Sequence, residues 1–100
     1  MKDIKSDSEL KEQFDLKKGL IVDLRNRERF DLHHLKNAIN IDLMSEHFIE
    51  LFTDISKDKK ILLYCDDGNR SKIAIRVLQE MGYNNLFSLH NGINAWEGKS

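Results

Sequence analysis

The most constraining feature of this chain is an apolar run with no polar alternation, Ile61-Leu62-Leu63-Tyr64, which ends on the sole cysteine, Cys65. A strand with one wet face alternates apolar and polar residues. A strand without that alternation is buried on both faces, as in an inner strand of a parallel sheet covered by helices. After Cys65 comes a short polar loop, Asp66-Asp67-Gly68-Asn69-Arg70. From Ser71 onward Ile73, Ala74, Val77, Leu78 and Met81 recur at helical spacing, with Arg76, Gln79 and Glu80 outside and Gly82 as the stop. Strand, loop and helix in that order put Cys65 at the carboxyl end of a strand, where open α/β sheets collect their ligands.

The rest of the chain repeats the alternation. Ser6 and Glu9 fit a capping box for a helix with Ile4, Leu10 and Phe14 on its apolar side and Gly19 as its stop. Leu20-Ile21-Val22-Asp23-Leu24 reads as a buried strand that carries an acid to the rim of the sheet. Arg25, two residues on from Asp23, is placed to pair with it. Asn26 can cap a short helix to Leu32. His33 and His34 lack companion ligands at metal spacing and read as structural, hydrogen-bonded to backbone. Asn37 to Ile41 is a short strand with Ile39 and Ile41 on one face. Ser45 caps a helix whose stripe is Phe48, Leu51 and Phe52, and Leu86 to Leu89 is the last strand. A turn at Gly92 and a short helix, Ile93 to Glu97, close the chain with Trp96 as anchor. Strands alternating with helices at these lengths predict an α/β fold, a three-layer sandwich with a mostly parallel central β-sheet flanked by helices.

Composition narrows the function. One hundred residues make a single domain spanning residues 1–100, and a hydrophobic share of 40% with 33% charged residues and no proline is that of a folded chain. A net charge of −1 gives no electrostatic footprint for nucleic acid. No apolar stretch approaches the ~20 residues that span a bilayer. The first residues lack the apolar core of a secretory signal, and one cysteine allows no internal disulfide, so a cytoplasmic location is expected. No residue pattern calls for a metal or an organic cofactor. A monomer or a weak homodimer is expected.

The backbone N–H groups of the loop, the freedom of Gly68 to take positive φ and the start of the next helix together form an anion nest at Cys65. A helix end alone contributes ~0.3–1 kcal/mol, so most of the stabilisation of a thiolate or persulfide has to come from several aimed N–H groups. Such a nest suits phosphate, redox or sulfur chemistry. An inert buried cysteine is the bland alternative. Cysteine-dependent phosphatases and arsenate reductases need five residues between cysteine and arginine to wrap an oxyanion, whereas here four, Asp66 to Asn69, separate Cys65 from Arg70.

Tyr64, Cys65, Gly68, Arg70 and Ser71 match the active-site pattern Tyr-Cys-x-x-Gly-x-Arg-Ser, and the chain resembles the rhodanese homology family. The resemblance extends over nearly the whole chain. Val22-Asp23-Leu24-Arg25 is similar to the early Asp-x-Arg strand end, Phe30 to Ile41 to the Phe-x-x-Gly-His-Ile-x-Gly-Ala-Ile-Asn-Ile box, and Gly82-Tyr83, Leu89, Gly92-Ile93 and Ala95-Trp96 to the closing signature. It implies a sulfurtransferase in which Cys65 takes a sulfane sulfur as a persulfide and passes it to a thiol, cyanide or protein acceptor. Asp66, Asp67, Gly68, Asn69, Arg70 and Ser71 would form the substrate loop, with Asp23 and Arg25 in support. Arg70 either binds an anionic donor or braces the loop through a carboxylate, and Ser71 is expected to be an N-cap. A regulatory module with the fold but no turnover, and a redox-sensing thiol, stay open as alternatives.

Three positions depart from the pattern: His33, Asn37 and Asn91 stand where the family has glycine, so positive φ with some strain is expected there. Asp66 and Asp67 are the larger departure. At ~5 Å a like charge costs a thiolate about 0.8 kcal/mol in water and about 3 kcal/mol at an effective dielectric of 20. The pair should also repel thiosulfate, so a persulfide, low-molecular-weight or carried by a protein, is expected to be the better donor.

Overall fold

The computed structural model describes residues 2–14 and 17–96. Within them five strands alternate with five helices: β1 (Lys2–Ile4), α1 (Asp7–Gln13), β2 (Leu20–Asp23), α2 (Arg27–Leu32), β3 (Ile39–Asn40), α3 (Phe48–Phe52), β4 (Ile61–Tyr64), α4 (Asn69–Glu80), β5 (Leu86–Leu89) and α5 (Gly92–Trp96). The sheet order is β1-β5-β4-β2-β3, and every neighbouring pair is parallel. The unalternated run predicted this position, since β4 lies at the centre with each of its residues buried.

Side chains of β4 alternate between two cores, as the period of two requires. Ile61, Leu63 and Cys65 join α3 and α4 through Phe52, Ala74 and Leu78. Leu62 and Tyr64 join α1 and α5 through Leu10, Ile93 and Trp96. Each fully buried aliphatic side chain contributes ~1.5–3 kcal/mol, so the two faces hold the sheet between helical layers and produce the expected sandwich.

Local signals worked where they were chemical. Ser6 accepts the Glu9 N–H at 3.1 Å, and Glu9 reaches back to the Lys5 N–H at 2.9 Å. Asn26 caps α2 through the Arg29 N–H, 2.9 Å. His34 Nδ1 donates to the Phe30 carbonyl at 2.6 Å, and its ring stacks on that of Phe30. Asn37 (φ 69°) and Asn91 (φ 60°) take the left-handed conformation expected of them, whereas His33 is extended at φ −171° and needs no such strain.

Several expectations change. The helix expected from Ser45 begins at Phe48, because the Ser45 hydroxyl accepts the His47 N–H in a local turn and caps nothing. Leu51 and Ile73 point to solvent, each more than half exposed, so the apolar stripes of α3 and α4 are narrower than their spacing suggested. Ile39 is exposed while Ile41, one residue past the end of β3 at Asn40, is buried, so the two do not share a covered face. α1 stops at Gln13, ahead of Gly19. Glu97 lies outside the described residues.

Candidate active site

β2 and β4 run side by side with Asp23 opposite Tyr64. Beyond them the chain departs in opposite directions. α4 packs on one face of the sheet, and α2 presses Phe30 against the core of the other. Divergence of this kind opens a crevice at the carboxyl ends of the two strands. Cys65 stands there as a free thiol, 1% exposed, with the Gly68 N–H donating to its Sγ at 3.2 Å.

Gly68, at φ 94°, is the N-cap of α4 and turns the loop into the helix. The first N–H groups of a helix have no carbonyl partner inside it, and its dipole favours negative charge. Asp67 takes the first of them, accepting from the Asn69 N–H at 3.0 Å and from the Asn69 amide at 3.2 Å. Ser71 is therefore not the cap. It is the third residue of α4, buried, and its hydroxyl donates back to the Gly68 carbonyl at 2.9 Å, which stiffens the turn under the thiol.

The start of α5 forms the back wall. Ile93 N–H donates to the Cys65 carbonyl at 2.9 Å and Asn94 N–H to the Asp66 carbonyl at 3.0 Å. These bonds bring the loop so close that a Cβ on Gly92 would lie 2.4 Å from the Asp66 carbonyl oxygen and 2.6 Å from the Asp67 nitrogen. Only glycine fits.

The predicted pairing of Asp23 and Arg25 is present and fully buried. The Arg25 Nε and one terminal nitrogen hold both Asp23 oxygens at 2.7–3.2 Å, and the Arg25 N–H adds a bond of 2.9 Å. The hydrogen bond to Asp23 raises the Arg25 pKa against the opposing effect of burial. Arg25 also donates to the His33 carbonyl, 2.7 Å, and its guanidinium lies 5.8 Å from the Tyr64 ring. The Tyr64 hydroxyl accepts the Leu35 N–H at 3.1 Å, and burial pushes that phenol well up. Strand ends, α2 and the following loop are thus tied into one frame beside the thiol.

Asp66 is not a bare charge. Its Oδ1 lies 3.2 Å from the exposed Arg29 of α2 and 3.8 Å from Arg25. Arg29 escaped the sequence reading because nothing local marks a partner 37 residues away. Asp67 is exposed and held by Asn69. Arg70 sits exposed on the first turn of α4 and, among the described residues, makes no ion pair, so the bracing role considered for it falls to Arg25 and Arg29. Also among the described residues, no group of three or more His, Cys, Asp or Glu side chains could hold a metal ion, and no helix is long and apolar enough to cross a membrane.

Comparison with known proteins agrees with this geometry. The family model of the rhodanese-like domain matches residues 6–99. An adenylyltransferase and sulfurtransferase of Candida albicans is 36% identical over 86 residues, which cover 80% of this chain and 20% of that protein. A tRNA uridine(34) hydroxylase of Legionella pneumophila is 34% identical over 98 residues, covering 80% of this chain and 37% of that one. The chain therefore spans between a fifth and two fifths of the length of these curated relatives. The crystal structure of a rhodanese-related protein from Thermoplasma volcanium superposes with a TM-score of 0.80 at 27% identity, covering 100% of this chain and 96% of that one.

Proposed function

This chain belongs to the rhodanese-like domain family, and from that premise we propose that Cys65 is a sulfur carrier. The thiolate attacks a sulfane donor and keeps its outer sulfur as a persulfide. A nucleophilic acceptor then attacks that outer sulfur and releases the thiolate. The observation that carries the reading is the Gly68 N–H donating to Sγ at the head of α4. Dipoles fixed there before the reaction meet the charge that develops on sulfur, as an oxyanion hole does for oxygen.

Donor choice follows from the two aspartates. Arg29 and Arg25 compensate Asp66, and Asp67 remains an exposed carboxylate on the loop. Thiosulfate brings both of its charges next to the sulfur it transfers, whereas a persulfide group on a small thiol or a protein brings at most one there. We therefore take a persulfide as the better donor and thiosulfate as the poorer one. Near-complete burial of Cys65 favours one competing reading, a rhodanese-fold interaction module in which the cysteine is a core residue.

One mass measurement separates the two. After incubation with glutathione persulfide, a carrier gains the mass of one sulfur, about 32 Da, on Cys65, and Cys65→Ser gains none. No adduct with any sulfane donor decides for the interaction module. Faster loading from thiosulfate than from glutathione persulfide overturns the donor assignment alone.

A further inference from the structure

A cavity of about 210 Å³ lies on the α4 side of the sheet. Its lining includes Asp67 and Gly68 of the thiol loop, Lys72 of α4, and Asp3, Ser88 and His90 of the sheet and its margin, but not Cys65. The topology leaves this space open. α3 and α4 cover a core built on β2, β4 and β5, to which, among the described residues, β1 adds no side chain. The one buried residue of β1, Ile4, packs on the opposite face. Successive residues of a strand face opposite sides, so Asp3 projects onto a ledge on the α4 side, beyond the edge of that core.

The ledge is polar and fixed. Asp3 pairs in register with Ser88, whose hydroxyl donates to one Asp3 oxygen at 3.0 Å. His90 Nδ1 lies 2.5 Å from the other oxygen. A carboxylate only accepts, so Nδ1 carries the hydrogen and Nε2 is left as an acceptor. The His90 N–H donates to the Ile4 carbonyl at 2.8 Å, so β1 holds the backbone of His90 as well as its ring. Asp3 is thereby satisfied within the sheet. Asp67 and Lys72 are not. Both are exposed, and among the described residues neither makes an ion pair, with the other or with any third group; Asp67 meets only Asn69. A cation and an anion that line one cavity without meeting leave room between them for a molecule that carries both charges.

We propose that this cavity binds a small zwitterion of the size of an α-amino acid, with its ammonium at Asp67 and its carboxylate at Lys72. At ~30 Å³ per water the space holds about seven waters, and so a molecule of about that many non-hydrogen atoms, of which serine is one. A hydroxyl on the ligand can donate to His90 Nε2. The ligand grips the thiol loop from outside: Gly68, whose N–H meets the Cys65 sulfur, belongs to the wall, so occupancy braces the loop without contact with the sulfur. Binding needs no chemistry at Cys65 and does not depend on its role as a carrier.

The test titrates the ¹⁵N-labelled chain with L-serine, and separately with ethanolamine and glycolate, which carry the ammonium and the carboxylate one at a time. With serine the amide signals of Gly68, Lys72, Ser88 and His90 should move along one curve with a Kd of about 1 mM, ordinary for so small a ligand. Each half-ligand should bind about five-fold more weakly, the upper worth of an exposed ion pair. Lys72→Met should weaken serine about five-fold and leave ethanolamine unchanged, and Asp67→Asn should weaken serine by as much and leave glycolate unchanged. No shift at a serine concentration about ten times that Kd overturns the proposal, and the cavity then holds only water. Half-ligands that bind as tightly as serine overturn it, as do variants that weaken all three ligands alike. The comparison of the three ligands on the wild-type chain stands whether or not a variant folds.

Discussion

Gly92→Ala tests whether the thiol loop is held in place by backbone contact with α5. Two costs add. At φ 76° an L side chain enters the left-handed region, which costs ~1–2 kcal/mol. The new Cβ also starts 2.4 Å from the Asp66 carbonyl oxygen, where ordinary contact begins at 3.4 Å. The loop must then retreat by about 1 Å, and such overpacking adds ~1–3 kcal/mol. A loss of ~2–5 kcal/mol against a total of ~5–15 leaves a folded but weakened protein. The same 1 Å displacement at a positioned reaction centre costs on the order of 100-fold in rate. Gly82→Ala is the internal control: φ is 100°, but the nearest atom is the flexible Lys57 side chain at 3.9 Å, so only the conformational cost applies. Urea denaturation should give ~1–2 kcal/mol for Gly82→Ala with sulfur loading of Cys65 at the wild-type rate, and the larger loss with slow loading for Gly92→Ala. Equal stability losses and equal loading rates in the two variants would refute the close-contact argument.

Arg25→Met strands the buried Asp23 carboxylate and should cost ~3–5 kcal/mol in urea, and Asp23→Leu combined with Arg25→Met should recover part of that loss. Tyr64→Phe leaves the Leu35 N–H unpartnered, for a loss of ~1–3 kcal/mol in the same assay. Burial raises the Tyr64 pKa in the folded state, so the folded protein holds this proton more tightly than the unfolded chain. The resulting stability is complete below about pH 10 and declines as the pH rises further; thermal melts from pH 9 to 11 should show the decline in wild type and a flatter curve in Tyr64→Phe. Arg29→Ala exposes the Asp66 charge at little cost in stability, ~0.2–1 kcal/mol for a pair this open. It should slow sulfur loading from thiosulfate several-fold more than loading from glutathione persulfide, and 0.5 M salt should narrow the gap.

What could be read from sequence was local. An apolar run without alternation is enough to bury β4 at the centre of a sheet, and two residues of spacing are enough to pair Asp23 with Arg25. β1 had no such signal. Lys2-Asp3-Ile4 carries one apolar residue, and the strand exists because β5 offers it a parallel partner some 85 residues away in sequence. Asp3 and His90 were invisible as a pair for that reason, as were Arg29 and Asp66. The stop expected at Gly19 and the cap expected at Ser71 misplaced helix ends because the backbone acted first, becoming extended at Phe14 in one case and turning left-handed at Gly68 in the other. Spacing also overstated burial on α3 and α4. Periodicity tells which side chains share a stripe, and the width of the neighbour decides how much of the stripe is covered.

The alternation along β4 has a consequence for how such a domain can vary. Whether the sulfur meets the Gly68 N–H or the opposite core depends on the parity of the residue count between Ile61 and Cys65. A single inserted or deleted residue in that strand would carry the thiol through the sheet to the side of α1 and α5. The loop after it has no such parity. Its length and charges are free to vary, while the strand beneath it cannot change by one without moving the thiol to the other face.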